Sequence, residues 1–349
     1  MMLTDISMRQ FQMLPREINI EVTQKCNLAC PFCHNRNSFA NNGVRCTGEL
    51  LSTEQVNMMI DNAAASGIKR VRFTGGEPMM RTDIYSLAEH ARSKGMKTVL
   101  NTNGTLIDKT NASTICELFN ICLISLPSGK CGVTDAVSGV QGVFRKKLNA
   151  LECLSKCEQL WCSTLMGKTL DIDDIGPMGV MMNELSVQNW FLLRTNGIPE
   201  DKTPVSKDYL HGVINRIKEL RDNGKPVPHI GNAVPFCCED PDLMAEIVDD
   251  GAFFCEGRSK LTVNPSGRFV VDYCIDETVG NALTDNHAEV WQCSALKHFR
   301  DGSLSPQRCK NCKYYERCLG GSRFAAKIAY GDYTRMDPLA DPDSIDENR

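Results

Sequence analysis

Three cysteines lie close together near the start of the chain, in the stretch KCNLACPFCHN. Cys26 and Cys30 are separated by three residues, and Cys30 and Cys33 by two. A structural zinc site uses four ligands in a closed tetrahedron, and a disulfide uses two. Three thiolates can instead hold a [4Fe–4S] cube and leave its fourth iron open to another ligand. The spacing therefore predicts an iron–sulfur centre with one open position.

A second set of cysteines lies in the C-terminal third of the chain. Cys309, Cys312 and Cys318 have the spacing C-x2-C-x5-C, and Cys255 and Cys274 flank the stretch KLTVNPSGRFVV. In a reducing compartment, metal ligation is the more common use of such cysteines, and disulfides are rare. Five thiols suffice for one complete iron–sulfur site, and a zinc ribbon is the alternative.

The composition places these cysteines in an ordinary globular chain. With 349 residues the protein can hold one large α/β domain and a smaller one. Its net charge of −4 is distributed without a basic stripe, so we expect no nucleic-acid partner. The sequence shows no signal peptide and no apolar run long enough for a membrane span. We therefore expect a cytoplasmic protein that does not contact a membrane.

The elements that would position the cysteines alternate between short β-like segments and amphipathic helical segments. Ser52 and Gln55 form a capping box that predicts a helix running to about Ala65. Strands are predicted at 18–22, 69–75, 97–104, 120–126, 159–165 and 187–193, and further helices at 83–94, 108–119, 142–157, 171–186 and 206–223. Six β–α units in series predict an α/β fold with a parallel sheet curled into a partial (β/α)6 TIM-like barrel. Function is expected at the carboxyl ends of its strands.

A change in composition marks a domain boundary after the last of these helices. The stretch KPVPHIGNAVPFCC is punctuated by proline and glycine. We expect the barrel to cover residues 1–228, a small cysteine-rich domain to cover 229–335, and an acidic tail to cover 336–349. Within the small domain, PSG between two β-like runs predicts a hairpin.

The motifs at the strand ends resemble those of the radical S-adenosylmethionine (SAM) superfamily. The cysteine loop follows the first strand directly, GGEP ends the second strand, NTNG the third and ISL the fourth, in the order found in that family. The resemblance implies that the open iron binds the amino and carboxylate groups of SAM. It also implies that one electron from the cube cleaves SAM to a 5′-deoxyadenosyl radical, which takes a hydrogen atom from the substrate.

The same resemblance implies roles for residues around SAM. The GGEP motif, Gly75 to Pro78, would lie along the methionine end of SAM, where glycines let the backbone approach closely. The resemblance also implies SAM contacts from the aromatic side chain in the cysteine loop and from an amide and a hydroxyl side chain at strand ends. The full set of implied SAM contacts is Phe32, Gly75, Gly76, Glu77, Pro78, Asn103 and Ser125. Relatives commonly have Ser-x-Asp-Gly after the fourth strand, where this chain has SLPSG.

The C-terminal cysteines resemble the SPASM and twitch extensions of radical SAM enzymes, which carry auxiliary iron–sulfur clusters. A full SPASM pattern has a further cysteine where this chain has Ser322, and another downstream. The resemblance therefore implies one auxiliary [4Fe–4S] cluster. Its first-choice ligands are Cys255 with Cys274 and Cys309 with Cys312. Cys318 is the substitute ligand, and Asp337 is a non-cysteine ligand that could complete a second site.

Two adjacent cysteines, Cys237 and Cys238, lie at the predicted domain junction. Some radical SAM epimerases use a junction thiol to return a hydrogen atom to the substrate radical, so we assign these two as candidate catalytic residues. A cluster ligand and a buried apolar thiol are the alternatives. The remaining cysteines in helix or strand patterns are expected to be small core residues, and they are Cys116, Cys122, Cys153, Cys157 and Cys162.

The resemblance implies a radical SAM oxidoreductase or isomerase that modifies a ribosomally made peptide, by epimerisation or by a crosslink. A dehydrogenase, epimerase or dehydratase acting on a carbohydrate or aminocyclitol is the alternative, because fold does not fix substrate. An iron–sulfur sensor or electron carrier is the non-enzymatic alternative. The first strand starts by residue 18, so we expect no N-terminal domain for binding a leader peptide. A low-potential donor such as flavodoxin or ferredoxin would supply the electron.

Overall fold

The computed structural model describes residues 13–31, 33, 51–194, 205–248, 256–273, 275–341 and 343. Three predicted site residues, Phe32, Cys255 and Cys274, lie outside the described residues. None of the helices in the described part of the chain has the length and apolar character of a membrane span.

One continuous sheet of ten strands organises the described residues, in the order β10-β9-β8-β1-β2-β3-β4-β5-β6-β7. The first seven strands run parallel to one another. They are β1 (Glu17–Thr23), β2 (Arg70–Gly75), β3 (Lys97–Thr102), β4 (Ile121–Ser125), β5 (Leu160–Leu165), β6 (Asn189–Leu193) and β7 (His229–Ile230). The six predicted strands are therefore confirmed, and the parallel α/β barrel architecture with them.

Helices pack between and after these strands. The capping box of Ser52 and Gln55 is present, and the first helix covers Thr53–Ala65 as predicted. The helices are α1 (Thr53–Ala65), α2 (Ile84–Ser93), α3 (Ala112–Leu118), α4 (Cys131–Ser138), α5 (Val143–Cys153), α6 (Ile175–Glu184), α7 (Lys207–Asp222), α8 (Pro241–Ile247), α9 (His287–Trp291), α10 (Ser294–Lys297), α11 (Tyr315–Cys318) and α12 (Arg323–Tyr330).

Helix α4 was not predicted, because the sequence after the fourth strand has no long apolar period. Its carboxylate Asp135 accepts hydrogen bonds from the backbone N–H of Gly142 (2.7 Å) and Phe144 (2.8 Å). These bonds satisfy N–H groups that the start of α5 would otherwise leave unpaired. The N-terminus of α5 is therefore capped by a side chain of the preceding helix and not by its own N-cap residue, Gly142.

The alternation of side chains along the strands divides the barrel interior into two levels. An apolar cluster of residues from β3 to β6 fills its lower part: Val99, Ile121, Leu123, Trp161 and Phe191. Two positions further along their strands on the same face, Asn101 and Ser125 lie at the carboxyl ends and line a cavity. Polar groups are thus placed at the mouth of the barrel, above a closed apolar floor.

The cysteine-rich segment continues the barrel sheet and does not form a sheet of its own. The predicted hairpin is confirmed as β8 (Lys260–Val263) and β9 (Arg268–Asp272), with β10 (Ile275–Asn281) beyond it. Strand β8 pairs in parallel with β1. The sheet therefore crosses the predicted domain boundary.

A buried carboxylate holds this junction together. Glu17 on β1 forms ion pairs with Arg70 (2.7 Å) and Arg72 (2.8 Å) on β2, and with Lys260 (3.4 Å) on β8. Burial alone would raise the pKa of Glu17, but the three cations outweigh it and hold that pKa well below its usual value. One side chain thus joins three neighbouring strands electrostatically.

Two of the cysteines expected in the core form a disulfide. Cys116 on α3 is bonded to Cys157, which follows α5, with their Cα atoms 4.6 Å apart. Cys157 is buried in the core and Cys116 packs against it, as expected, but their pairing was not predicted from the sequence. Cys122 and Cys162 are free and fully buried, as expected of core residues.

Candidate active site

The three N-terminal cysteines share one cavity at the carboxyl ends of the barrel strands. Its volume is about 360 Å³, and Cys26, Cys30 and Cys33 all line it. Four of the predicted SAM contacts line the same cavity, namely Gly75, Gly76, Asn103 and Ser125. The structure therefore brings together most of the described residues that the sequence motifs singled out.

The two glycines of GGEP pack against the backbone that leads into the cysteine loop. The N–H of Gly76 donates to the carbonyl of Thr23 (2.7 Å), and the N–H of Glu77 donates to the carbonyl of Lys25 (2.7 Å). A Cβ at Gly75 would lie 2.3 Å from the Thr23 oxygen, and one at Gly76 would lie 2.1 Å from the Lys25 oxygen. Glycine is therefore required here for close packing of two protein segments.

Glu77 does not line the cavity in the described structure but is fully buried behind it. Its carboxylate accepts hydrogen bonds from Thr102 Oγ1 (2.6 Å) and from the backbone N–H groups of Asn103 (2.7 Å) and Met79 (3.0 Å). Burial raises the pKa of Glu77, and these donors oppose the rise. The geometry gives Glu77 the function of fixing the end of β3 against the GGEP turn.

Asn103 connects the third strand to the cysteine loop. Its Nδ2 donates to Asn27 Oδ1 (2.8 Å) and lies 3.8 Å from Cys26 Sγ. Its Oδ1 accepts from the N–H (2.9 Å) and hydroxyl (2.6 Å) of Thr105. The side chain therefore orients the first cysteine in addition to facing the cavity.

A buried lysine that sequence reasoning missed lies at the same end of the barrel. Lys147 on α5 is 2% exposed and lines the cavity with the three cysteines. Its Nζ donates to the carbonyls of Asn103 (2.7 Å) and Ser125 (2.6 Å), which leaves a third N–H. Burial lowers the pKa of Lys147 to about 8. Nothing in the sequence indicates that Lys147 is buried, because it belongs to the basic run RKK, and a lysine in such a run on a helix is usually solvated.

The last barrel strands and the C-terminal segment also contribute to the lining of the cavity. Arg194 lines it together with Asn232, Tyr273 and Phe324. The buried guanidinium of Arg194 pairs with both oxygens of Asp337, at 2.7 and 3.0 Å. This ion pair fixes the C-terminal loop to the end of β6.

Asp337 is not available as the non-cysteine cluster ligand that the sequence suggested. Besides pairing with Arg194, its carboxylate accepts hydrogen bonds from the N–H groups of Ser322 (2.7 Å) and Leu339 (2.9 Å). Ser322 caps α12 by accepting from the N–H of Ala325 (3.0 Å). Both polar residues therefore serve the local fold.

A second cavity, of about 260 Å³, lies in the C-terminal segment. Cys309, Cys312 and Cys318 line it, as does Cys237 from the short helical turn that follows β7. Neither Cys237 nor Cys238 is among the described residues that line the first cavity. This placement does not support the hydrogen-donor role predicted for the pair.

Residues 20–175 match the model of the radical SAM superfamily. The barrel, the three-cysteine loop and the glycine-lined cavity agree with that match. The chain therefore carries a radical SAM domain and is a radical SAM enzyme, and its cofactors are a [4Fe–4S] cluster and SAM. The residues of the cavity fit the cluster and SAM. Three thiols on one loop line it, together with the backbone of Gly75 and Gly76 and the buried side chain of Lys147.

Particular relatives cover nearly the whole chain. An AdoMet-dependent heme synthase from Oleidesulfovibrio alaskensis is 28% identical over 357 residues, covering 93% of this chain and 86% of its own. A PqqA peptide cyclase from Bradyrhizobium diazoefficiens is 25% identical over 350 residues, with the same coverage of 93% and 86%.

Among solved structures, SuiB from Streptococcus suis aligns with a TM-score of 0.72 and 16% identity, covering 94% of this chain and 78% of its own. SuiB bound to its precursor peptide SuiA aligns with a TM-score of 0.71. At this identity the similarity shows a shared fold.

Proposed function

We propose that the protein modifies a ribosomally made peptide by radical chemistry, through epimerisation or a crosslink. The observation that carries the proposal is a single cavity lined by two chemically different sets of residues. Three thiols of the cysteine loop line it, and so do Arg194, Asn232 and Phe324 from the end of the barrel and the C-terminal segment. A substrate bound against Arg194, Asn232 and Phe324 would share the cavity in which the radical forms.

The chain's own residues have separate tasks in this cavity. Cys26, Cys30 and Cys33 would hold the cluster, and the backbone at Gly75 and Gly76 would border SAM. When bound, the cluster and SAM supply a 5′-deoxyadenosyl radical that abstracts a hydrogen atom from the substrate. A low-potential flavodoxin or ferredoxin would deliver the electron.

The relatives support a peptide substrate. One of them is named a PqqA peptide cyclase, and SuiB has been solved with a precursor peptide. Both align over more than nine-tenths of this chain. Arg194, Asn232 and Phe324 come from segments other than the cysteine loop, so they can vary without disturbing SAM cleavage.

The test is anaerobic reconstitution with iron and sulfide, followed by addition of SAM and dithionite. The wild type should form 5′-deoxyadenosine, and the Cys26→Ala/Cys30→Ala/Cys33→Ala variant should form none and lose about four irons. Cys131→Ala, which replaces an exposed cysteine, is the matched control and should behave like the wild type. Formation of 5′-deoxyadenosine by the triple variant would refute the assignment of the cluster.

A tetrapyrrole is the second candidate substrate, because a heme synthase is the relative with 28% identity. The two candidates are separated by incubating the enzyme with SAM and either a candidate precursor peptide or a porphyrin. A peptide substrate predicts a mass change or altered stereochemistry in the peptide, with no change in the porphyrin absorption bands. A shift of the porphyrin bands with stoichiometric 5′-deoxyadenosine would favour the tetrapyrrole instead.

A further inference from the structure

Four cysteines from three separate segments surround the second cavity. Cys237 lies in the short helical turn Phe236–Cys238 at the domain junction. Cys309 lies in the turn Gln307–Asn311, Cys312 follows it, and Cys318 ends α11. Cys237 and Cys318 are only 8% and 9% exposed. Sequence spacing indicated three of these thiols, and the fold adds the fourth.

The four thiols surround a volume and do not converge on a point. Within the described residues, no three Cys, His, Asp or Glu side chains lie close enough together to hold one metal ion. A zinc ribbon needs four sulfurs at about 2.3 Å from one ion. A [4Fe–4S] cube, in contrast, binds each thiolate at a different iron and so needs a wider arrangement around a cavity.

The backbone turn that follows Cys318 lies beside the second cavity. Gly320 lines the cavity, and the N–H of Gly321 donates to the carbonyl of Cys318 (3.0 Å). Both glycines have φ of +82°, a left-handed conformation that other residues rarely adopt. This turn fixes the backbone of Cys318 at the wall of the cavity.

Two buried arginines add positive charge next to the cavity. Arg258 Nη1 donates to the carbonyl of Cys318 (3.3 Å), and Arg323 Nη1 donates to backbone carbonyls that include that of Arg335 (2.8 Å). Arg323 Nη2 also donates to the carbonyl of Gly320, which lines the cavity. Both guanidinium groups are fixed by hydrogen bonds to backbone carbonyls.

We propose that Cys237 is the fourth thiolate ligand of an auxiliary [4Fe–4S] cluster that Cys309, Cys312 and Cys318 also bind. On assembly from four irons and four sulfides, each of the four thiols loses its proton and bonds to one iron. A cube of charge +2 with four thiolates then carries a net charge of −2. Because every iron has a protein ligand, none is open to SAM or substrate, and the cluster can only accept and donate electrons.

Cys238 is the natural comparison for Cys237, since the two are adjacent and chemically identical. Cys238 packs against the apolar core and is not among the described residues that line the second cavity. The proposal also replaces the ligand set expected from sequence, in which Cys255 and Cys274 completed the site. It depends on iron–sulfur assembly alone, so it can fail while the proposed function stands.

The experiment uses the full chain with Cys26, Cys30 and Cys33 replaced by alanine, so that the remaining iron belongs to the C-terminal segment. After anaerobic reconstitution, iron, sulfide and zinc are measured, and the dithionite-reduced protein is examined by EPR. Adding Cys237→Ala should remove about four irons and four sulfides together with one EPR signal, whereas adding Cys238→Ala should remove none.

A conservative variant guards against misfolding of Cys237→Ala. Cys237→Ser keeps an oxygen ligand and should retain a cluster with a shifted EPR spectrum. The proposal is overturned if the spectrum and iron content of Cys237→Ser and Cys237→Ala match those of Cys238→Ala. It is also overturned if the cavity holds zinc without sulfide, or if Cys255→Ser/Cys274→Ser removes the signal that Cys237→Ala retains.

Discussion

Replacing Gly76 by alanine tests whether the GGEP turn positions the cysteine loop by direct backbone packing. The added Cβ would lie 2.1 Å from the Lys25 oxygen, 2.6 Å from its carbonyl carbon and 2.7 Å from the Gln24 oxygen. All three atoms belong to the backbone, so no side chain can rotate away. The loop that begins at Cys26 must therefore move.

The size of the effect follows from these contacts. Relieving the overlap requires a displacement of about 1 Å, and overpacking of this kind costs about 1–3 kcal/mol. The two hydrogen bonds that join the turn to Thr23 and Lys25, each 2.7 Å long, are strained by the same movement. Each contributes about 0.5–1.5 kcal/mol, so the loss at the loop is about 2–6 kcal/mol.

The assay is iron content and 5′-deoxyadenosine formation after anaerobic reconstitution. Gly76→Ala should lose up to about four irons. Any cluster that remains should cleave SAM about 100-fold more slowly, because a displacement of about 1 Å misaligns the reacting groups. Gly95→Ala is the matched control: Gly95 has φ of +74° but nothing within 4 Å of a new Cβ. It should cost about 1–2 kcal/mol of stability without loss of iron.

Wild-type iron content and wild-type SAM cleavage in Gly76→Ala would refute the reasoning. They would mean that the cysteine loop accommodates the methyl group without moving its thiols. Equal losses in Gly76→Ala and Gly95→Ala would refute it differently, since the effect would then follow from general destabilisation.

Three further predictions concern buried charges. Glu17→Gln should lower the free energy of unfolding by about 3–5 kcal/mol at pH 7. The pKa of Glu17 is held below its ordinary value of 4.5, so this stabilisation is fully present above pH 4.5 and is lost as the pH falls through the lower pKa of the folded state. Urea unfolding at several pH values should therefore show a smaller difference in stability between wild type and Glu17→Gln in acid. Asp337→Ala leaves the Arg194 guanidinium buried without its partner and should cost about 3–5 kcal/mol in urea unfolding; an unchanged midpoint would contradict the importance of the pair. Lys147→Met removes a cation beside the cysteine cavity, so an EPR-monitored redox titration should show a more negative cluster potential, whereas exposed Lys146→Met should not change it.

Local sequence determined the elements of this protein. The apolar runs of the six barrel strands, the capping box of Ser52 and Gln55, and the turn at PSG each depend on neighbours within a few residues. The spacing of Cys26, Cys30 and Cys33 is local in the same sense, because three ligands on one loop need no distant partner. These features could therefore be predicted from the sequence without knowledge of the fold.

Only the tertiary structure decided which distant groups meet. Cys237 lines one cavity with three thiols that come much later in the chain, and Lys147 on α5 donates to the carbonyls of Asn103, after β3, and Ser125, at the end of β4. Cys116 meets Cys157 for a similar reason. No sequence period encodes these contacts, since they depend on strand register, helix packing and the burial cost of each polar group.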